Sequence, residues 1–289
     1  GYYISISPMF ELFHQSQFLC SRKVTELYST SFTLGIRALD NRFHDAIYGI
    51  YGFVRYADEI VDTFHDWDKS ALLARFKADT YEAIDQKISL NPILHAFQLT
   101  VHKYQIDNKL IDAFLHSMEM DLFTQNYKQE FYEEYIYGSA EVVGLMCLKV
   151  FCEGDNVKFE SLKQGARYLG AAFQKVNFLR DMQADYKERG RVYFPNVDFD
   201  NFCRNQKDAI EADIQSDFEK AYEGIKMLPE GAKFGVYLAY KYYLNLFKKI
   251  RKTEAEKVLH TRIRVSNPKK LGIWASVYLR SNVLGIYAP

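Results

Sequence analysis

Between Pro92 and Pro195 the chain runs for 102 residues without a proline, and its remaining prolines stand at positions 8, 229, 268 and 289. Proline removes a backbone donor and clashes with the preceding turn, so it is confined to the ends of helices. A stretch that long without such punctuation is free to be helical throughout. In DNKLIDAFLHSMEMDLF (107–123) the apolar residues fall at Leu110, Ile111, Phe114, Leu115, Met118 and Leu122, which is one face of a 3.6-residue repeat. Runs of period-two alternation are hard to find, and there is no solenoid repeat, low-complexity segment or linker. A loop is expected over 187–205, where Gly190, Pro195 and Asn196 cluster with several aspartates. The expectation is an all-α fold in a single domain over residues 1–289, with residues 1–10 set apart as an irregular start.

Charge and composition narrow the function. Lys+Arg and Asp+Glu both number 37, so the chain carries no electrostatic footprint for nucleic acid. Its 22 Tyr and 22 Phe suffice to fill a large core and still line a cavity. Cys20, Cys147, Cys152 and Cys203 form no CxxC pair, and the seven histidines show no HExxH spacing. Neither thiolate nor imidazole metal ligation is expected, and a reduced, cytoplasmic compartment is the simpler reading. No uninterrupted apolar run reaches the roughly 18–20 residues of a membrane-spanning helix.

Two polar stripes interrupt otherwise apolar helices. In YGFVRYADEIVDTFHD (51–66), Tyr51, Arg55, Asp58 and Asp62 lie at spacings of 4, 3 and 4. In LGAAFQKVNFLRDMQADYKERGRVYFP (169–195), Gln174, Asn177, Asp181 and Asp185 lie at spacings of 3, 4 and 4. Each set occupies one face of a continuous helix. If the two helices face each other, four carboxylates converge in apolar surroundings, which bare charge does not tolerate. Oxygen-only ligands select a hard divalent cation: Mg²⁺, with Mn²⁺ or Ca²⁺ as alternatives, over zinc. Mg²⁺ typically keeps one or two carboxylates and completes its shell with water and phosphate. With Arg55, Arg180 and Arg191 nearby, the pattern describes a cradle for a diphosphate. Asp85, Asp107 and Asp112 lack such a setting and read as solvated helix faces.

RYADEIVD and NFLRDMQADYKERGRVYFP resemble the two aspartate-rich signatures of the squalene/phytoene synthase family, the head-to-head prenyl transferases. YSTSF (28–32) is similar to the family's HSxSF element, and EYIYGSAEVVGLM (134–146) to its YxYGxAGxVG helix. The likeness runs in order from about residue 18 to about 270, and the aromatic-rich pattern looks closest to bacterial phytoene synthases. Two positions depart from the pattern: Tyr28 stands where His is common, and Glu141 where Gly is common. The resemblance implies the isoprenoid synthase fold, helices around a central cavity with both aspartate motifs at its mouth. It also implies that Asp58, Asp62, Asp181 and Asp185, with Asn177, hold Mg²⁺. Arg55, Gln174, Arg180 and Arg191 would bind the diphosphate, with Ser29 and Ser31 as further donors. Tyr135, Tyr193 and Tyr243 match positions that face the reacting region.

The reaction so implied is the 1'-1 condensation of two geranylgeranyl diphosphates to phytoene through prephytoene diphosphate, in carotenoid biosynthesis. Use of farnesyl diphosphate in a squalene- or dehydrosqualene-type reaction stays open, as does a non-catalytic binding or assembly role; a terpene cyclase is more distant. NADPH is not expected. The preference for C20 over C15 rests on Gly35 and Ile36, small or moderate residues one turn after YSTSF; Phe32 and Tyr48 are the candidates to block the channel. The segment 248–270 carries nine Lys/Arg against two Glu. A solvated helix end accounts for it better than contact with anionic lipid. The tail after it, with Trp274, Tyr278 and Tyr287, is expected to pack as the last core helix. Peripheral contact with a membrane for product release is the alternative, and oligomeric state is left open.

Overall fold

The helix starts are written locally, as a side-chain acceptor followed by helix formers. The computed structural model describes residues 7–124, 127–280 and 287. In α1 (Pro8–Tyr28), Ser7 accepts from the Phe10 amide and Pro8 takes the first helical position. Ser29 caps α2 (Thr30–Arg37) through the Phe32 amide, and α3 (Asn41–Asp62) follows. Asp68, Asn91 and Asp107 cap α4 (Lys69–Gln86), α5 (Pro92–Tyr104) and α6 (Asn108–Phe123). Each cap satisfies an amide that the first helical turn leaves unpaired. No strand occurs among the described residues, and the all-α expectation holds.

The proline-free stretch is helical but not uniform. α7 (Gln129–Ile136) passes through a π turn at Tyr137–Glu141 directly into α8 (Val142–Cys152). After α9 (Asn156–Arg180) the helix breaks at Asp181, whose φ of −102° and ψ of 9° leave the helical region, and α10 (Met182–Arg189) resumes. The second polar stripe is therefore not on one continuous helix. Its ladder still bridges the break, because the Asp181 amide donates to Asn177 and the Asp185 amide to Asp181 at 2.9 and 2.8 Å. Gly190 ends α10 at a φ of +63°, a left-handed cap that glycine adopts without strain. The expected loop then runs to α11 (Arg204–Lys226) with one 3₁₀ turn at Phe199–Asn201. α12 (Glu230–Arg251), the short α13 (Ala255–Val258) and α14 (Asn267–Tyr278) complete the described fold.

Two apolar clusters form the core. In one, α3, α5 and α6 meet through Phe53, Phe97 and Phe114, with Phe53 and Phe97 stacked at 3.8 Å. In the other, α9, α11 and α12 bury Val176, Phe218 and Phe247. The continuous helix Gln129–Cys152 is long and apolar enough by composition to cross a membrane, with a mean hydropathy of 1.4, yet 56% of that window is buried inside the fold. Its charged and tyrosine positions hid that length from a search for unbroken apolar runs. α14 packs on the second cluster through Ile273, Trp274 and Val277, while Tyr278 stays 44% exposed. Within the tail, residues 281–286, 288 and 289 lie outside the described residues.

Candidate active site

α2, α3, α8, α9, α11 and α12 enclose a cavity of about 440 Å³ between the two clusters. Its size falls in the range of small-molecule sites. Ile36, Val54, Val143, Leu148, Phe151 and Leu169 line its body. Its polar end holds Arg55, Asp58, Gln174, Asn177, Arg180 and Arg262. Gly35 and Ile36 both reach the wall as expected of a tail channel, and so does Phe32, whereas Tyr48 is buried outside the lining. Phe32, Phe173 and Tyr243 form an aromatic belt, with Phe173 and Tyr243 stacked at 4.1 Å.

The two aspartate motifs do face one another, and arginines join them. Arg189 on α10 reaches Asp62 at 3.1 Å and Asp185 at 3.5 Å, tying α3 to α10. Arg180 holds Asp181 through two 2.9 Å bonds, and Arg262 approaches the same carboxylate at 3.4 Å. Arg55 binds Glu59 at 2.6 Å and stands 4.0 and 3.9 Å from Asp58 and Asp62. Arg191 is differently placed. It is buried, donates to Asp121 at 2.7 Å and to the Asp121 carbonyl, and does not line the cavity.

Burial among like charges raises three of the carboxyls. Asp58 is pushed well above the carboxylate range by desolvation and then by Asp62, with Arg55 opposing. Asp62 rises through desolvation, opposed first by Arg189. Asp185 is pushed up to about 7 by desolvation, again opposed by Arg189. Asp58 nevertheless keeps 32% of its side chain exposed to the cavity, so it is deep within the protein and still reachable by a ligand. Carboxyls held high by apolar surroundings are common at functional sites.

A chain of hydrogen bonds crosses the polar end. Tyr243 donates to Asn177 at 3.2 Å, Asn177 to Gln174 at 3.4 Å, and Gln174 to Ser139 at 3.1 Å. It links α12, α9 and the π turn, and it joins Tyr243 to the stripe that already held Gln174 and Asn177. Of the three tyrosines, only Tyr243 lines the cavity. Tyr135 and Tyr193 stack at 5.2 Å in a buried column with Phe178 and Tyr127. Tyr193 donates to Asp121 at 2.8 Å, and burial pushes both phenols far up. Ser29 lines the cavity while capping α2; Ser31 is not part of the lining.

Sequence reading missed Asp121, Arg189 and Arg262. Asp121 was legible as a lone carboxylate on the apolar stripe of α6, in line with Phe114 and Met118. Arg189 sits one turn past Asp185 and continues the second stripe. Arg262 lies in the basic segment, where no spacing singles it out.

The donor set suits a hard cation. It consists of carboxylates and the Asn177 amide, without thiolate or imidazole, and burial holds three of the carboxyls above their usual range. Among the described residues no three Asp, Glu, His or Cys side chains close on one point.

The model of the squalene/phytoene synthase family matches residues 25–269. The chain belongs to that family. It is 27% identical to 15-cis-phytoene synthase of Synechocystis over 91% of this chain and 85% of the relative. It is 24% identical to 4,4'-diapophytoene synthase of Staphylococcus haemolyticus over 86% and 92%. A crystal structure of a dehydrosqualene synthase in complex with ligand superposes at a TM-score of 0.79, with 22% identity, covering 94% of this chain and 98% of that one. The structural likeness shows the isoprenoid synthase fold. The family's Gly-to-Glu departure is harmless to the cavity: Glu141 pairs with Arg167 at 2.8 Å and is absent from the lining. The His-to-Tyr departure places Tyr28 over Arg55.

Proposed function

We propose that the protein joins two prenyl diphosphates head to head, 1'-1, with two C20 geranylgeranyl diphosphates giving phytoene through prephytoene diphosphate. The observation that carries this reading is one apolar cavity whose polar end gathers Asp58, Asn177, Arg55, Arg180 and Arg262. The apolar body takes the isoprenoid tails and the polar end takes the diphosphates. Asp58, Asp62, Asn177, Asp181 and Asp185 would hold Mg²⁺, which supplies neutralising charge to the departing diphosphate. Arg55, Arg180 and Arg262 add donors where that charge grows. Phe32, Phe173 and Tyr243 face the allylic cation with π density and exclude water from it. The Tyr243 hydroxyl, held by Asn177, would take the proton lost from the coupled carbocation as it gives its own to the released diphosphate.

A second reading, with C15 farnesyl diphosphate, is favoured by Phe32, whose bulky ring lines the cavity along with Ile36. Purified protein incubated with Mg²⁺ and each diphosphate, with product mass measured, separates the two. We expect a C40 hydrocarbon, loss of turnover in EDTA and recovery on adding Mg²⁺. A C30 product alone refutes the chain length, and turnover untouched by EDTA refutes the metal assignment.

A further inference from the structure

We propose that Tyr28 is a positioning residue for Arg55: its ring and Glu59 together clamp the guanidinium at the polar end of the cavity, ready to meet a diphosphate. The inference rests on the diphosphate reading above. It gives a task to a residue at which this chain departs from its family.

Tyr28 is the last residue of α1, and the next residue caps α2. The ring is thus carried by the junction of two helices rather than by a loop. It borders both the central cavity and a shallow outer groove that includes Tyr56, Ile60 and Leu72. The Arg55 guanidinium carbon lies 4.9 Å from the ring centroid, within the ~6 Å over which a cation is drawn to a π face. Glu59, one turn along α3, holds the same guanidinium at 2.6 Å. Glu59 also faces the Tyr28 phenol; burial and that carboxylate push the phenol up, so it stays protonated. Two contacts therefore hold the cation, the Tyr28 ring on its face and the Glu59 carboxylate on its edge.

Little else orients this arginine. Its Nε is buried with no partner, and Asp58 and Asp62 stand at 4.0 and 3.9 Å, beyond hydrogen-bonding distance. Those two carboxylates are the nearest alternative partners. A guanidinium released from the ring swings onto them, and two effects follow. The diphosphate loses an aligned donor, and the carboxylates lose the freedom to bind a cation. The clamp therefore keeps Arg55 at long ion-pair range of the aspartates without hydrogen-bonding it to either. A planar ring is the necessary element, because the attraction acts on the face of the π system.

Leucine at this position keeps apolar volume and removes the π face, while phenylalanine keeps the face and removes the hydroxyl. We expect Tyr28→Leu to lower kcat/KM about tenfold, mainly through KM, in line with a partly exposed cation–π contact. Inorganic diphosphate binding in the presence of Mg²⁺, measured by calorimetry, should weaken by a similar factor. Tyr28→Phe should lose about threefold or less, and Tyr28→Leu should add nothing in an Arg55→Gln background. Melting curves verify folding of each variant. If Tyr28→Leu melts below the assay temperature, Glu59→Gln tests the clamp from the other side: it must lower turnover beside Arg55 and change nothing beside Arg55→Gln. Wild-type protein inert toward every prenyl diphosphate refutes the functional reading itself. Active wild type with an unchanged Tyr28→Leu, or with equal losses in both Arg55 backgrounds, overturns the clamp.

Discussion

α9 approaches the π turn so closely at Gly170 that a methyl group there would stand 2.5 Å from the Ala140 carbonyl oxygen and 3.0 Å from its carbon. Both are backbone atoms, so no rotamer change relieves the contact. The helix must move about 0.5 Å to reach the edge of tolerated contact and about 0.9 Å to reach ordinary contact, and such overpacking costs ~1–3 kcal/mol. The better helix propensity of alanine offsets up to ~1 kcal/mol of that. Gly170→Ala should therefore lose about 1–2 kcal/mol, a fall in Tm of several degrees for a chain of this size. Activity should suffer more. Gln174, one turn on, bridges the same seam to Ser139 at 3.1 Å, and Asn177 and Arg180 follow on the same helix. A misplacement of about 1 Å can cost roughly a hundredfold in rate. Thermal melts and turnover of prenyl diphosphates, compared across wild type, Gly170→Ala and Gly272→Ala, provide the assay. Gly272 in α14 has no atom within 4 Å of an added methyl, so its variant should match wild type in turnover and melt at or slightly above it. A Gly170→Ala protein that melts at or above wild type with undiminished turnover would refute the reasoning.

Asp58→Asn and Asp181→Asn should fold normally and lose most turnover, since each keeps side-chain volume and deletes a charge; equal activity in either would show a structural aspartate. The raised Asp185 carboxyl, at about 7 in the fold, binds its proton more tightly than in the unfolded chain. Its stabilising contribution is full below pH ~4 and is lost as pH rises through about 7, at up to ~1.4 kcal/mol per pH unit. Urea midpoints of metal-free protein from pH 5 to 8 should fall, and Asp185→Asn should make the fall shallower, leaving the part that Asp58 and Asp62 contribute. Added Mg²⁺ should stabilise more at pH 8 than at pH 5, because it binds the ionised carboxylates. Ile36→Phe should shift the kcat/KM ratio toward C15, each buried CH₂ being worth ~0.8 kcal/mol when the channel accepts it; an unchanged ratio would place Ile36 away from the tail.

Whatever depends on near neighbours along the chain was legible before the fold was known. Helices and their starts follow from periodicity, proline placement and caps such as Ser29 and Asn91, all set within a few residues. The two polar stripes follow as well, since helical spacing alone puts Asp58 beside Asp62 and Asn177 beside Gln174. The motifs extended that reading to a family and hence to a fold. Pairings between segments were decided only by the tertiary structure. Arg191 looked like a phosphate ligand from its place after the second motif, yet Asp121, seventy positions earlier in the chain, draws it into a buried pair. Arg189 and Arg262 become partners of the aspartates through the approach of α10 and of the segment after α13. Tyr135 and Tyr193 share their motifs with the site but turn into an aromatic column behind it. A helical period states which residues share a face; it does not state which distant face comes to meet it. That depends on close backbone contacts such as Gly170 against Ala140, and on where burial leaves each charge its lowest-energy partner.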